Sequence, residues 1–330
     1  MKINIAQIGV GYWGPNLLRN LVANKLCKVS TVVDLSKERR EYVKNLYPSI
    51  EVSDSIDTIL NDSNIDAVVI ATPVSTHYDL IIDCLNANKH VLVEKPMASK
   101  ASEVKEIKEI ASIHSLVAMV GHTFLFNSAV RYVKKLIDSN EIGDIRYIYS
   151  QRLNLGRIRN DVDALWNLAP HDISIVQYWL NDPVPEKISR NGSSYVQQNI
   201  DDVVFLNIKY PENIHANIHV SWLDPNKTRK ITVVGSKKMI VYDDIADDKI
   251  TIYDKGIDKM AILGRSMDFD EPNTFKFHHR SGDILKPKID WAEPLSVEVS
   301  HFIDCIINKT PCITDAEHAL KVVHILEEGS

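Results

Sequence analysis

Apolar runs and amphipathic stretches alternate through the first part of the chain. The runs that predict strands lie near residues 3–8, 29–33, 52, 67–71, 91–93 and 116–121. Between them, apolar residues recur at helical spacing, as at Leu17, Leu18 and Leu21. Strands that alternate with helices in this way are typical of a parallel sheet covered on both faces. We therefore predict a doubly wound α/β domain over residues 1–121.

The pattern changes after Gly121, where several predicted strands follow one another without intervening helices. Alternating apolar positions, such as Val204, Leu206 and Ile208, predict strands with one buried face. Helices are expected near residues 128–138, 170–180, 295–308 and 315–328, and a long loop is expected over 256–294. Residues 122–330 are therefore predicted to form a second, α+β domain with a large, mainly antiparallel open sheet.

Charge and hydropathy exclude several classes of protein. The 330 residues carry a net charge of −6 without a block of like charge, so nothing favours nucleic-acid binding. No apolar run approaches the ~20 residues that a membrane-spanning helix needs. Only Met1 and Lys2 precede the first predicted strand, so we expect no signal peptide.

The cysteines and histidines give no metal-binding spacing. The four cysteines, Cys27, Cys84, Cys305 and Cys312, are scattered and include no Cys-x-x-Cys pair. We interpret them as small core residues in a reducing compartment, which predicts a cytoplasmic protein without disulfides. No metal site is expected.

A glycine-rich segment follows the first strand directly. Gly9-Val10-Gly11-Tyr12-Trp13-Gly14 lies between that strand and a helix opened by Pro15, which is the context that a dinucleotide-binding G-x-G-x-x-G motif requires. Gly9 suits a tight turn, Gly11 the close approach of a pyrophosphate, and Gly14 helix–strand packing. Tyr12 and Trp13 lie inside the loop and are further candidates for cofactor contact.

The second strand ends at Asp34, twenty residues after Gly14. An acidic side chain at this distance typically holds the adenosine ribose hydroxyls and repels a 2′-phosphate, which favours NAD over NADP. The alternative is that Arg39 and Arg40 bind the phosphate of NADP. We interpret both arginines as exposed residues of the following helix.

Two later strand ends carry polar residues at the edge where such sheets bind ligands. Thr72, Pro73 and His77 follow one strand, and His77 is either a nicotinamide-side residue or a solvated first-turn histidine. Glu94-Lys95-Pro96 follow the buried run Val91–Val93. A partly desolvated lysine at this edge suits proton transfer, whereas the alternative is an exposed Glu–Lys pair in a turn.

The second half contains two candidate substrate segments. Arg152, Asn154, Arg157 and Arg159 leave a strand together and could hold a phosphate, or they could form a solvated loop. His171 is predicted to open a helix, with Asn167 four residues before it. If this helix faces the cleft, His171 and Lys95 could reach the same substrate hydroxyl while Asn167 orients the sugar.

These motifs, in this order, resemble the glucose-fructose oxidoreductase / inositol dehydrogenase / MocA family over nearly the whole chain. The resemblance implies a Rossmann domain, an oligomerising second sheet, and a Glu-Lys-Pro lysine, here Lys95, beside the nicotinamide and often before a cis proline. Family members often carry Asp-x-x-x-His where this chain has Asn167 and His171. Asparagine cannot accept a proton, so the base would be His171, Lys95 or both. Asp172 is interpreted as a helix cap.

Further segments resemble the nucleotide-sugar branch of the family, namely 9–16, 121–127 and 169–174. The resemblance implies NAD-dependent oxidation of a sugar hydroxyl, such as C3 of UDP-N-acetylglucosamine, in bacterial surface-polysaccharide or lipid A synthesis. It also implies a homodimer or homotetramer. The alternatives are an NADPH-dependent 3-ketosugar reductase, a dehydrogenase of inositol or simple sugars, and a catalytically silent NAD-binding sensor.

Overall fold

The chain packs as two compact units. The structure, a computed structural model, describes residues 2–156, 158–261 and 275–330. The first unit contains the chain up to Asn127 together with 173–177 and 291–330, and the second contains 128–172 and 178–290. The end of the chain, residues 291–330, thus packs within the first unit, whereas the domain predicted over residues 1–121 does not contain it.

The sheet of the first unit is parallel throughout and follows the order β3-β2-β1-β4-β5-β6. Its strands are β1 Ile3–Ile8, β2 Cys27–Val33, β3 Glu51–Ser53, β4 Ala67–Ile70, β5 His90–Glu94 and β6 Ala118–Gly121. The strand order changes direction between β1 and β4, and ligands of doubly wound sheets bind at the carboxyl edge of such a point. The predicted Rossmann architecture is confirmed.

Helices connect these strands as the alternating pattern predicts. They are α1 Gly14–Ala23, α2 Lys37–Leu46, α3 Asp57–Leu60, α4 His77–Asn86 and α5 Ala101–His114. Local chemistry explains two of the helix starts. Pro15 occupies the first turn of α1, where its missing N–H costs no helical hydrogen bond. The Ser36 side chain accepts a hydrogen bond from the Arg39 N–H and caps α2.

The second unit is built on an eight-stranded sheet with the order β14-β13-β12-β11-β7-β10-β9-β8. Its elements are α6 Ser128–Asp138, β7 Ile145–Leu155, α7 Ala164–Leu180, β8 Lys187–Ser193, β9 Val203–Lys209, β10 His215–Ser221, β11 Leu223–Gly235, β12 Met239–Asp243, β13 Ile250–Ala261 and β14 Phe275–Leu285. Only the β7–β10 pairing is parallel among the pairs described. This confirms the predicted open, mainly antiparallel sheet.

Two sequence predictions for this unit were wrong. The long loop expected over 256–294 is in its described part mostly the antiparallel pair β13 and β14. Helix α7 begins at Ala164 rather than at Pro170, because Asp163 accepts a hydrogen bond from the Trp166 N–H and caps the helix there. Pro170 lies inside the helix.

Two helices, α8 Pro294–Ile307 and α9 Ala316–Glu328, complete the first unit. The segment between them runs along the edge strand β6. There the Val120 N–H donates to the Thr314 carbonyl at 2.8 Å, and Met119 pairs with Asp315 in an isolated bridge. Strand β6 is therefore covered instead of presenting an open edge. Within the described ranges, no helix is long and apolar enough to cross a membrane.

Candidate active site

The glycine loop has the shape that a dinucleotide requires. Gly9 has φ +89°, and a Cβ there would lie 2.6 Å from the Ala71 carbonyl oxygen. A Cβ on Gly14 would lie 2.5 Å from the Gly9 carbonyl oxygen. A Cβ on Gly11, in contrast, would meet nothing within 4 Å. Gly9 and Gly14 are thus required for packing, whereas the space beside Gly11 is open for a ligand.

Asp34 follows β2 and bonds to the backbone of this loop. Its two carboxylate oxygens accept hydrogen bonds from the backbone N–H of Val10 at 2.7 Å and of Ser36 at 2.8 Å. Arg40 donates to the carbonyls of Asp34 and Leu35 and also pairs with an aspartate of the neighbouring loop. Arg39 is exposed as expected, but the same expectation for Arg40 was wrong, because Arg40 is half-buried and holds the loop.

His77 joins the loops that follow β4 and β5. Its Nε2 lies 2.9 Å from the Thr72 carbonyl oxygen, and its Nδ1 lies 2.9 Å from the Pro96 carbonyl oxygen. The ring is 1% exposed, so the reading of a solvated first-turn histidine was wrong. Pro73, beside Thr72, is exposed. His77 thus holds the backbone at Thr72 and the backbone at Pro96 in fixed positions relative to each other.

Lys95 stands at the carboxyl end of β5, half-buried, and the Lys95–Pro96 peptide is cis. The neighbouring Glu94 places one carboxylate oxygen, Oε1, out of contact with solvent. Burial raises the pKa of Glu94 to about 7, although the charge of Lys95 and a hydrogen bond from Trp13 both lower it. The strand end therefore combines a cation with a carboxyl group that titrates near neutrality.

His122 follows β6 directly and is 2% exposed. Its ring packs edge-on against His318 of α9, with 5.4 Å between the ring centroids. Burial, and then the positive charges of His318 and Lys95, lower the pKa of His122 well below its usual value. A neutral imidazole therefore lies in the electrostatic range of the Lys95 amine. The sequence carried a signal for it, namely a polar residue directly after a buried strand.

Glu298 of α8 is fully buried at the same edge. Its Oε1 lies 3.3 Å from the Cβ position of Gly121, and in the described part of the chain no group makes a well-formed hydrogen bond to either oxygen. Burial and the nearby charge of Glu94 raise the pKa of Glu298 well above its usual range, while the Thr123 hydroxyl lowers it. The sequence analysis did not identify Glu298. The available signal was a single acid among the apolar residues Leu295, Val299 and Phe302 of the same helix.

In the second unit, Arg152 lies in the core instead of an open loop. It is 4% exposed, and its Nε donates to the Asp172 carboxylate at 2.5 Å. The other oxygen of Asp172 accepts from the Ser150 hydroxyl at 2.5 Å. The helix-cap reading of Asp172 was wrong, because this residue lies in the interior of α7 and anchors the helix to β7. Arg152 contributes to the same anchor.

Asn167 and His171 share one face of α7, since they are four residues apart on a helix. The Asn167 Oδ1 accepts a hydrogen bond from the indole N–H of the buried Trp222 at 3.2 Å. His171 is half-buried and lies in the second turn of α7 rather than at its start. The indole bond fixes the orientation of the Asn167 amide next to His171.

The remaining candidates of the arginine-rich segment lie past the buried part of β7. Asn154 is half-buried and folds over Gly156. Arg159 is exposed and forms a two-point ion pair with Asp161, at 2.8 and 2.5 Å. Arg157 lies outside the described residues. Of the arginines that the structure describes in this segment, Arg159 offers a surface guanidinium, which is already paired with an acid two residues away.

A dinucleotide fits the residues of the first unit. The open space beside Gly11 lies before the amino terminus of α1, where backbone N–H groups and the helix dipole favour a phosphate. Asp34 follows β2 on one side of β1, and Thr72 and Lys95 follow β4 and β5 on the other side of it. The space beside Gly11 would hold the pyrophosphate, Asp34 the adenosine ribose, and Thr72 and Lys95 the nicotinamide end.

Family comparisons agree with this fit. The profile described as "Oxidoreductase family, NAD-binding Rossmann fold" matches residues 3–122, and that of the GFO/IDH/MocA C-terminal domain matches residues 130–241. The chain belongs to the GFO/IDH/MocA oxidoreductase family. It is accordingly an oxidoreductase with an NAD-binding fold, as the motifs indicate.

Individual relatives act on different compounds. A 2,7-anhydro-N-acetylneuraminate hydratase of Mediterraneibacter gnavus is 24% identical over 84% of this chain and 76% of its own. A scyllo-inositol 2-dehydrogenase (NAD⁺) of Bacillus subtilis is 25% identical over 97% of this chain and 91% of its own. The solved UDP-N-acetylglucosamine 3-dehydrogenase of Acidithiobacillus ferrooxidans has a TM-score of 0.80 at 20% identity, covering 100% and 97% of the two chains. At that identity the last match establishes the fold alone.

Proposed function

We propose that the protein oxidises a secondary hydroxyl of a sugar to a ketone with NAD⁺, and that the substrate is a nucleotide-linked sugar oxidised at C3, such as UDP-N-acetylglucosamine. The observation that carries the reaction class is the position of Lys95, half-buried at the carboxyl end of β5 beside a neutral His122. NAD⁺, when bound, supplies the hydride acceptor. The substrate class rests on the likeness to the nucleotide-sugar branch.

The chain's own residues would hold the reactants and move the hydroxyl proton. We assign Lys95 and His171 to that proton, singly or together, and Asn167 to a sugar hydroxyl. Positioned proton transfer contributes on the order of 10²–10⁴-fold to such reactions. Gly9, Gly11, Tyr12, Trp13, Gly14, Asp34, Thr72, Pro73, His77 and Glu94 would line or support the cofactor.

For the diphosphate we retain Arg157 and Arg159 as candidates, and Asn154 is, like Asn167, a candidate for a sugar hydroxyl. Arg152 is a weaker candidate, because its guanidinium is buried against Asp172. The pairing of Arg159 with Asp161 also means that a diphosphate would have to displace an existing carboxylate partner. These two ion pairs favour a second candidate, an uncharged polyol such as an inositol, to which the Bacillus subtilis relative also points.

Asp34 supports NAD over NADP, since a carboxylate at this position repels a 2′-phosphate. It thereby argues against the NADPH-dependent 3-ketosugar reductase. Asn167, in place of the family's aspartate, is the one feature that supports a silent NAD-binding sensor.

We further propose a cytoplasmic homodimer or homotetramer formed through the outer face of the eight-stranded sheet. That face carries Tyr147 and Tyr149, stacked at 6.4 Å, and Phe205 and His219, stacked at 4.2 Å. Both tyrosines and Phe205 are at least 39% exposed in the single chain. Aromatic side chains are enriched at protein interfaces, which supports this choice.

One assay separates the candidates. NADH absorbance and product mass are followed with NAD⁺ or NADP⁺ and each of UDP-N-acetylglucosamine, UDP-glucose, scyllo-inositol, glucose and 2,7-anhydro-N-acetylneuraminate. We expect NADH and a product two hydrogens lighter with UDP-N-acetylglucosamine. If only scyllo-inositol is turned over, the substrate is an inositol and not a nucleotide sugar. If a product is one water heavier and no net NADH forms, the reaction is a hydration and not an oxidation. Tight NAD⁺ binding without any product would favour the catalytically silent NAD-binding sensor.

A further inference from the structure

Two of the four cysteines lie together with a histidine in the first unit. His301 and Cys305 are one turn apart on α8, and Cys312 follows in the segment that leads to α9. The adjoining cavity is lined by the amino ends of β5 and β6, at His90 and Ala118. The cluster therefore lies towards the opposite edge of the parallel sheet from the glycine loop and takes no part in the site described above.

The three side chains are spaced for one ion. Cys305 Sγ lies 3.4 Å from His301 Nε2, and these two atoms and Cys312 Sγ all lie within 4.8 Å of one another. Three points so spaced always share a centre no more than about 2.8 Å from each, against Zn–S and Zn–N bonds of about 2.3 and 2.0–2.1 Å. Side-chain movements of a few tenths of an ångström thus complete the coordination.

The histidine already has the protonation state that a metal requires. The backbone N–H of Ile313 donates to Nε2 of His301 at 3.1 Å. A backbone amide can only donate, so Nε2 carries no proton and its lone pair accepts the bond from Ile313. Metal-ligating histidines bind through a nitrogen in this state. An incoming ion would replace the hydrogen bond from Ile313.

A cavity of about 590 Å³ adjoins the two cysteines. Its lining includes both sulfur-bearing residues together with Lys309, Thr310 and Asp315. Three protein ligands leave one corner of a tetrahedron open, and such a corner is filled by water or by a small ligand. The cavity supplies the room for that fourth position.

We propose that His301, Cys305 and Cys312 bind one thiophilic divalent cation of the Zn²⁺ class, through Nε2 and two thiolates, with the fourth position open to the cavity. Each thiol releases its proton to solvent when it binds, and no electron is transferred. The scattered positions of the cysteines in the sequence predicted no such site. Helix α8 and the turn that follows it bring two of them together.

The ion would join α8 to the segment that covers β6. That segment carries the Thr314 carbonyl, which accepts from Val120, and Asp315, which pairs with Met119. Because the ligands lie on both sides of the turn at 308–311, a bound cation would restrain this cover in the folded state only. Binding to the folded state alone raises stability by mass action.

The test uses the full-length chain, reduced and stripped of metal, and titrates it with Zn²⁺ or with Co²⁺ as a coloured substitute. We expect one equivalent bound per chain, a thiolate-to-cobalt charge-transfer band in the near ultraviolet, and a higher Tm with Zn²⁺. Cys312→Ser and His301→Gln should each weaken binding by at least roughly tenfold. His301→Gln keeps an acceptor for the Ile313 N–H, so it separates ligation from folding.

Cys27→Ser is the matched control, because Cys27 is buried elsewhere in the first unit and donates to the Leu21 carbonyl, a bond that serine retains. It should leave the stoichiometry, the cobalt band and the Zn²⁺-dependent rise in Tm unchanged. Equal Zn²⁺ affinity in wild type and Cys312→Ser would overturn the proposal. So would a cobalt complex without the thiolate band, or a Cys305–Cys312 disulfide that survives treatment with excess reductant.

Discussion

Glu94 of β5 and Glu298 of α8 both adjoin Gly121. The Cβ position of this glycine is 3.6 Å from Glu94 Cα and 3.3 Å from Glu298 Oε1. A Cβ on Gly121 would press on Glu298 Oε1, so the glycine leaves room for this buried acid. Burial and the charge of Glu94 raise the pKa of Glu298. The pair gives the folded protein a buried acid, Glu298, that resists ionisation in the field of Glu94.

Glu298→Gln should stabilise the protein in a pH-dependent way. The folded-state pKa of Glu298 is raised, so the neutral acid stabilises the fold at low pH and that contribution is lost as pH rises through the folded pKa. Glutamine resembles the neutral acid. The Tm of the variant should match wild type near pH 5 and exceed it at pH 8, by an amount equivalent to about 1–3 kcal/mol.

Thermal melts between pH 5 and pH 9 measure this difference. Glu109→Gln, at an exposed position of α5, is the control and should show no pH-dependent gain. A Tm difference between Glu298→Gln and wild type that stays constant across this range would show that Glu298 is ionised throughout.

The glycine loop gives a contrast between stability and binding. In Gly9→Ala the new Cβ would meet the Ala71 carbonyl at 2.6 Å, whereas in Gly11→Ala it would meet open space. We expect Gly9→Ala to lower the free energy of unfolding by more than about 2 kcal/mol, because the backbone must shift and its φ is positive. Gly11→Ala should leave unfolding within about 0.5 kcal/mol of wild type.

Gly11→Ala should nevertheless weaken NAD⁺ binding at least roughly tenfold, since its methyl group occupies the space that we assign to the pyrophosphate. Urea unfolding and NAD⁺ titration on the same preparations measure the two quantities. Unchanged NAD⁺ affinity in Gly11→Ala would place the phosphates elsewhere.

The two arginine–aspartate pairs of the second unit should behave in opposite ways. Asp172→Ala leaves Arg152 buried without its carboxylate and should cost about 3–5 kcal/mol of unfolding free energy. Arg159→Ala breaks an exposed pair and should cost less than about 1 kcal/mol. If Arg159 binds the diphosphate, its loss raises KM for a nucleotide sugar without changing KM for an inositol. Denaturant unfolding and steady-state kinetics read out both effects, and a large loss of stability in Arg159→Ala would contradict this division.

Local chemistry made much of the first unit predictable. The strand before Gly9, the acid at Asp34 and the proline after Lys95 each act within a few residues of the structure they determine. The alternation of Val204, Leu206 and Ile208 is likewise a local signal, and it predicted a strand with one buried face in an open sheet. These signals depend on neighbours in the sequence, so the sequence alone could reveal them.

The rest depends on contacts between distant segments. Glu298 is far from Glu94 in the chain, and only the packing of α8 at the sheet edge brings them together. The sequence predicts Arg152 as a surface ligand, because only the folded helix α7 places Asp172 against it. It predicts His171 at a helix start, because a proline such as Pro170 usually marks one. Asp163 caps α7 about two turns earlier and overrides that signal.

The proposed reaction requires that Lys95 and His171 move the proton of the substrate hydroxyl. The most direct test is the rate of NADH formation in a single turnover, at saturating NAD⁺ and sugar, for Lys95→Ala and His171→Ala. We predict at least a roughly tenfold loss in each, the low side of the range for positioned proton transfer, with NAD⁺ affinity retained. Rates near wild type in both variants would contradict the claim.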